Sequence, residues 1–195
     1  MPENLLTAEE RHMLLALARE SIERAANEKP LPRPNLESLP PRLRENGATF
    51  VTITMKPENE LRGCIGGLEA VQPLAYDVIS HAAAAATEDY RFLTVMPEEV
   101  PQVNIEISRL THPEPLEYSA PEELLRLLRP NIDGVILRDG PRRATFLPQV
   151  WEKLPDPALF LNHLCDKMGG PHDLWRRKHL TVEIYQVEEF HEGEN

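Results

Sequence analysis

Residues 48–68 read Ala-Thr-Phe-Val-Thr-Ile-Thr-Met-Lys-Pro-Glu-Asn-Glu-Leu-Arg-Gly-Cys-Ile-Gly-Gly-Leu, and their pattern decides the fold class. Residues 48–55 are rich in β-branched side chains and alternate in character, which predicts a strand. Residues 56–60 form a short charged turn, and 61–68 is a second strand-like run containing glycines, so the pair reads as a hairpin. Downstream, Pro73 opens a helix through about Thr87, a position that suits proline in a first turn. Its run of five alanines, 82–86, is almost smooth and lets another backbone come close. Residues 103–110 alternate as a strand, and 120–128 is a short helix. Residues 134–138 and 143–147 flank Asp139-Gly140, a hairpin turn signal. Residues 157–168 are helical and end at Gly169-Gly170, and 180–187 is a closing strand. Upstream, Thr7 and Glu10 have capping-box spacing, and Met13, Leu14, Leu17, Ala18, Ile22 and Ala25 repeat at helical intervals until about Asn27. Five prolines in 29–41 make that stretch a stiff connection. Because strands adjoin strands twice, the expected class is α+β, a mainly antiparallel sheet with flanking helices, rather than a doubly wound α/β fold.

Composition narrows the function classes. The 195 residues contain 41% apolar and 27% charged residues, ordinary values for a globular chain with a real core. A net charge of −11 opposes binding to nucleic acid by counterion release and to anionic membrane surfaces. Two cysteines make no disulfide framework and suit a reducing compartment. Residues 1–10 lack the apolar run of a signal peptide. The stretch 78–87 is far short of the ~20 apolar residues of a membrane span. The expected location is therefore cytoplasmic, with no nucleic-acid or membrane partner.

The chemistry concentrates at 61–67. On a strand, Arg62 and Cys64 share a face, roughly 7 Å apart at Cα. A fixed positive charge there favours the thiolate, the nucleophilic form of cysteine. Gly63, Gly66 and Gly67 strip away cover and leave backbone N–H groups able to meet an oxyanion or phosphate in a Gly-lined cleft. The plain alternative is a bulged strand with a packed cysteine. Asp89 and Arg91 are candidates to hold an anionic substrate group, or they pair with each other. Glu106 is an acid–base candidate if it lies beside Arg62, and otherwise belongs to the sheet's wet face. His163 lies off the apolar stripe of Phe160, Leu161, Leu164, Cys165 and Met168, so it is a candidate base while Cys165 is core. His81 reads as a partly buried, hydrogen-bonded side chain, and Trp151 and Trp175 as packing. No Cys-x-x-Cys or His-x-x-x-His pair occurs, so a structural zinc site is not expected; a mixed site of His163, Cys64 and an acid from elsewhere is the remaining alternative, and the expectation is no metal and no cofactor.

Leu-Arg-Gly-Cys-Ile-Gly at 61–66 resembles the signature of the AMMECR domain family, whose prokaryotic members are called AmmeMemoRadiSam system protein A. Residues 73–79, 106–108, 142–151 and 163–165 resemble further family segments in the same order. Asp89-Tyr90-Arg91-Phe92 matches the family's Asp-Pro-Arg-Phe with Tyr90 in place of proline. The resemblance implies one domain over 1–195 with a larger and a smaller lobe. It also implies the company of a Memo-like protein and a radical SAM enzyme. The resulting expectation is an enzyme or enzyme component acting on an unknown small-molecule or protein substrate. Cys64 would be its reactive residue, Arg62 the activator, and His163 or Glu106 the proton carrier. The alternative is a non-catalytic interaction module that docks those partners.

Overall fold

The computed structural model describes residues 5–193. The chain divides into two compact units, one running up to Leu110 and resuming at Glu188, the other spanning Thr111–Val187. The first unit opens with α1 (Ala8–Ala26), started by the full capping box: Thr7 N–H donates to Glu10 Oε2 (2.8 Å) and Glu10 N–H to Thr7 Oγ1 (3.2 Å). The proline-rich connection holds a 3₁₀ turn, Leu36–Ser38, and ends in the single-turn α2 (Pro41–Arg44). Then come β1 (Asn46–Met55), β2 (Glu60–Gly66), β3 (Gln72–Pro73), α3 (Leu74–Thr87) and β4 (Val103–Leu110). The expected hairpin of β1 and β2 is present and antiparallel. The sheet order is β2-β1-β4, then the C-terminal strand Val187–His191, with β3 also paired to β1.

One face of this sheet makes the unit's core. Val51, Ile53, Val103, Ile105 and Ile107 pack with Leu14, Ala18 and Ile22 of α1 and with Val78, Ala82 and Ala85 of α3. Each large side chain among them contributes roughly 1.5–3 kcal/mol by leaving water. The smooth alanine row does what its composition suggests. A Cβ placed on Gly63 would lie 2.1 Å from the carbonyl oxygen of Ala85, so β2 runs directly against the backbone of α3.

The hairpin is not regular. Thr54 pairs with Leu61, but Ile53 pairs with Gly63 and Thr52 with Cys64. Arg62 is the extra residue of a β-bulge, a device that re-aims a side chain and bends the strand.

The closing segment differs from the expectation of one strand over 180–187. It forms two strands in two sheets, β8 (Thr181–Tyr185) and β9 (Val187–His191), broken at Gln186. Gln186 exchanges its backbone groups with Thr111: its carbonyl accepts from Thr111 N–H (2.8 Å) and its N–H donates to Thr111 Oγ1 (2.8 Å). The second strand escapes a hydropathy reading because one of its two buried positions is an acid. Glu188 is buried beside Phe190 and accepts from Leu6 N–H (3.0 Å), Arg11 Nε (2.9 Å) and Arg109 (2.9 Å).

The second unit contains β5 (Glu114–Pro115), α4 (Pro121–Leu127), β6 (Gly134–Asp139), β7 (Arg142–Phe146), α5 (Pro157–Lys167), α6 (Leu174–Arg177) and β8. Its sheet order is β5-β8-β6-β7, all antiparallel. Trp151 stacks on Phe160 with ring centroids 3.6 Å apart, and Leu161, Leu164, Cys165 and Trp175 complete its core. Among the described residues no helix is long and apolar enough to cross a membrane.

Candidate functional site

The site grows from the register of three strands. Thr52 of β1 is paired with Cys64 of β2 on one side and Glu106 of β4 on the other. Directly paired residues project to the same side. The row Cys64–Thr52–Glu106 therefore lies on the sheet face turned away from α1 and α3, and its three members are half-buried. Cys64 and Glu106 stand two strands apart, roughly 10 Å across the sheet. The Thr52 hydroxyl bridges part of that gap by donating to Cys64 Sγ at 3.4 Å.

β2 is an edge strand, and unpaired backbone groups at a sheet edge invite foreign strands. At Cys64 this edge is closed by two side chains from the loop after α3. Cys64 N–H donates to Asp89 Oδ2 (2.8 Å), and its carbonyl accepts from an Arg91 terminal nitrogen (3.4 Å). Asp89 and Arg91 are themselves locked together, Nε to Oδ1 at 2.9 Å and a terminal nitrogen to Oδ2 at 2.7 Å. A carboxylate and a guanidinium here imitate the C=O and N–H of a missing neighbour strand. Asp89 is buried yet ionised. The Arg91 guanidinium holds its carboxyl well below the usual range against the opposing pull of burial, and the N–H groups of Cys64 and Arg91 add to that.

Arg62 has partners of its own in the loop after α3. Strict alternation placed its charge beside the thiol, but the bulge interrupts that alternation. Its guanidinium grips Glu99 through two bonds (2.9 and 3.0 Å) and donates to the carbonyls of Leu93 (2.7 Å) and Thr94 (3.2 Å). Arg62 thus ties the loop after α3 to β2, and it keeps Glu99 below the ordinary glutamate range. The guanidinium bonded at Cys64 is that of Arg91.

The glycines also have assigned work. Gly63 and Gly66 have no room for a Cβ, which would fall 2.1 Å from Ala85 O and 2.4 Å from Thr49 O. The open amides expected for an anion cradle are in use, Cys64 N–H on Asp89 and Gly67 N–H on Thr49 O (3.0 Å). An anion does sit at this backbone, and it is the protein's own carboxylate.

His163 belongs to the second unit. It is exposed on α5, with Nδ1 3.8 Å from Asp166 Oδ2 and its ring edge-on to His172 at 5.8 Å. Cys165 is fully buried on the same helix, as its apolar stripe suggests. His81 is the partly buried, hydrogen-bonded side chain the helical wheel indicates. Its Nδ1 lies 3.1 Å from Asp77 Oδ2, and that carboxylate also accepts from Thr49 Oγ1 (2.7 Å) and Gln72 (3.2 Å). No group of three His, Cys, Asp or Glu suited to a metal occurs among the described residues.

Sequence reasoning missed Thr52 and Glu99. A hairpin counted straight back from the turn pairs Ile53 with Arg62 and Thr52 with Gly63. Only the bulge brings Thr52 opposite Cys64.

The chain is thus a two-unit α+β protein with a half-exposed cysteine on a braced sheet edge. It belongs to the AMMECR1 family, which matches residues 15–190. A protein of Thermofilum pendens is 40% identical over 198 residues, covering 95% of this chain and 91% of the relative. Protein MK0488 of Methanopyrus kandleri is 37% identical, covering 97% and 91%. The crystal structure of uncharacterized protein PH0010 from Pyrococcus horikoshii matches with a TM-score of 0.74 at 34% identity, covering 96% of this chain and 94% of that one.

Proposed function

We propose that the chain acts in the cytoplasm as an enzyme, or as one component of an enzyme, whose reactive group is the thiol of Cys64. Its company would be a Memo-like protein and a radical SAM enzyme. The observation that carries this reading is the setting of Cys64. The side chain is half-exposed on the polar sheet face, its sulfur accepts a hydrogen bond from Thr52, and its backbone is held at both N–H and C=O. A nucleophile gains rate from being fixed in place before substrate arrives. In this reading Cys64 Sγ adds to an electrophilic carbonyl-type carbon of a small-molecule or protein substrate, the S–C bond forming as the carbon's π bond opens onto its oxygen, and the thiol proton passes by way of the Thr52 hydroxyl, which lies between them in the row, toward the Glu106 carboxylate. Asp89 and Arg91 are positioning residues, and Arg62 braces the loop that carries them.

The test is a deletion strain of the source organism, complemented with variants and followed by metabolite profiling. Cys64→Ser should fail to restore the wild-type profile while its melting temperature stays unchanged. Full restoration by Cys64→Ser removes the reading. On the purified protein, Thr52→Val should slow alkylation of Cys64 by about fivefold, the factor expected of one net hydrogen bond of ~1 kcal/mol.

The second reading, a non-catalytic interaction module, draws on a separate observation: Tyr90, Leu93 and Met96 are exposed on one loop.

A further inference from the structure

The loop after α3 carries three large apolar side chains in the open, Tyr90 at 95% exposure, Leu93 at 88% and Met96 at 56%. Single exposed apolar residues are ordinary, whereas clusters of them mark interaction sites. This cluster stands on a backbone that is pinned along its length. Phe92 N–H donates to Asp89 O (3.0 Å), Val95 N–H to Ala86 O (2.8 Å), and Met96 N–H to Glu99 Oε2 (2.7 Å). Arg62 fixes the carbonyls of Leu93 and Thr94, and Val95 is fully buried beneath them. A partner that docks here has little loop ordering to oppose it, which is the usual gain from preorganisation.

The charges around the cluster say what kind of partner fits. The cation within the loop and the one that braces it are committed, Arg91 to Asp89 and Arg62 to Glu99, while Lys29 and Lys56 line a pocket on the far side of Pro97. The exposed carboxylates at the two ends of the loop, Glu88 and Glu98, are in no ion pair among the described residues. The surface is thus apolar at its centre and negative at its ends, on a chain of net charge −11.

We propose that residues 88–98 are a docking surface for a basic protein partner. Apolar side chains of that partner cover Tyr90, Leu93 and Met96, and flanking Lys or Arg side chains meet Glu88 and Glu98. A second copy of this chain is a poor occupant, because it brings the same carboxylates and the same net charge. The inference goes beyond the thiol chemistry, since the surface binds whether or not Cys64 reacts. Asp89 and Arg91 couple the loop to Cys64, so an arriving partner is brought to the strand that carries the thiol.

The test uses the full chain and fluorescence anisotropy of a labelled peptide of about twelve Lys, Leu and Pro residues. Two control peptides replace Lys by Glu, or Leu by Ser. The Lys/Leu peptide should bind and both controls should not. Leu93→Ser and Tyr90→Ser should each weaken binding about tenfold, as aromatic and apolar anchors at an interface centre do. Glu88→Gln with Glu98→Gln should weaken it several-fold and flatten its salt dependence. Val71→Ser, at an exposed apolar residue outside the loop, and Cys64→Ser should leave the affinity unchanged. These side chains are exposed or half-exposed, and matching melting temperatures verify that each variant folds. The proposal is overturned if the Lys/Leu peptide does not bind, if the Glu peptide binds equally, or if Leu93→Ser has no effect. A wild-type dimer that Leu93→Ser dissociates would equally overturn it, because the surface would then belong to a second copy.

Discussion

Cys165 and Cys64 meet opposite surroundings. Cys165 lies on α5 among Phe160, Leu161, Leu164 and Trp175 with no exposed surface, and burial pushes its thiol above the ordinary value. Cys64 stands half-exposed at a sheet edge, with a hydroxyl on its sulfur and a carboxylate on its amide. The first environment is made by Phe160 and Leu161 one turn back on the same helix and by Leu174 and Trp175 of the short helix that follows it. The second is made by Thr52 across the hairpin and by Asp89 and Arg91 from beyond the next helix. A thiol shielded by local periodicity is inert by construction. A thiol whose surroundings come from three separate segments is one the fold has to hold in place.

The largest expected effect is the contrast itself. Alkylation of the native protein with iodoacetamide, counted by peptide mass spectrometry, should label Cys64 first. Cys165 should lag by a factor on the order of 10³ or more. Reaching it requires opening of a packed core, and global unfolding of a domain costs roughly 5–15 kcal/mol. Comparable labelling of the two thiols in native buffer would break the comparison and favour the interaction-module reading.

The two sites were also unequally legible in the sequence. The stripe Phe160, Leu161, Leu164, Cys165 and Met168 follows a helical period, and period alone places Cys165 in the core. The hairpin, the helix begun by Pro73 and the close approach allowed by the alanines were equally readable, because each depends on neighbours in the chain. The role of Arg62 was not. A bulge is one inserted residue, invisible to a period of two, and its residue, Arg62, tethers a loop 31 to 37 positions later. The strand Val187–His191 was hidden for a related reason. A buried Glu188 satisfied by Arg11, Arg109 and the Leu6 amide looks like a surface acid until its partners are known. What the chain concealed was tertiary compensation, in which a charged side chain takes a place that pattern reserves for an apolar one.

Two glycines sharpen the contrast at the Cys64 end. Gly63→Ala sets a methyl group 2.1 Å from the Ala85 carbonyl, backbone that cannot swing aside, so β2 and α3 must separate. The expected loss is about 3 kcal/mol or more, the upper end of ordinary overpacking. At Gly67 the nearest atom is the His81 ring at 3.5 Å, an ordinary contact. Gly67→Ala should therefore change stability by less than about 1 kcal/mol. Denaturant titration of both variants reads the difference. Equal costs would mean that β2 does not lean on α3 as described, and the exposure of Cys64 would need another explanation.

The smallest effect concerns the carboxylate that braces Cys64, a feature Cys165 lacks. Asp89→Asn keeps an acceptor for the Cys64 N–H but removes the charge that Arg91 engages, and should cost roughly 1–3 kcal/mol near neutral pH. The pH dependence carries the sharper information. Asp89 in the folded chain is held far below its unfolded value of about 3.9, so a depressed folded pKa applies. Its contribution is then fully present above the unfolded pKa and is lost as pH falls toward the folded one. Stability of wild type and Asp89→Asn, measured by urea titration at successive pH values, should differ by a constant amount down to about pH 5 and converge below about pH 4. Arg91 stays charged throughout, so the convergence reports Asp89 alone. A gap that persists undiminished into acid would show that the bonds to Asp89 are a matter of shape rather than charge. The clamp on Cys64 would then owe nothing to ionisation.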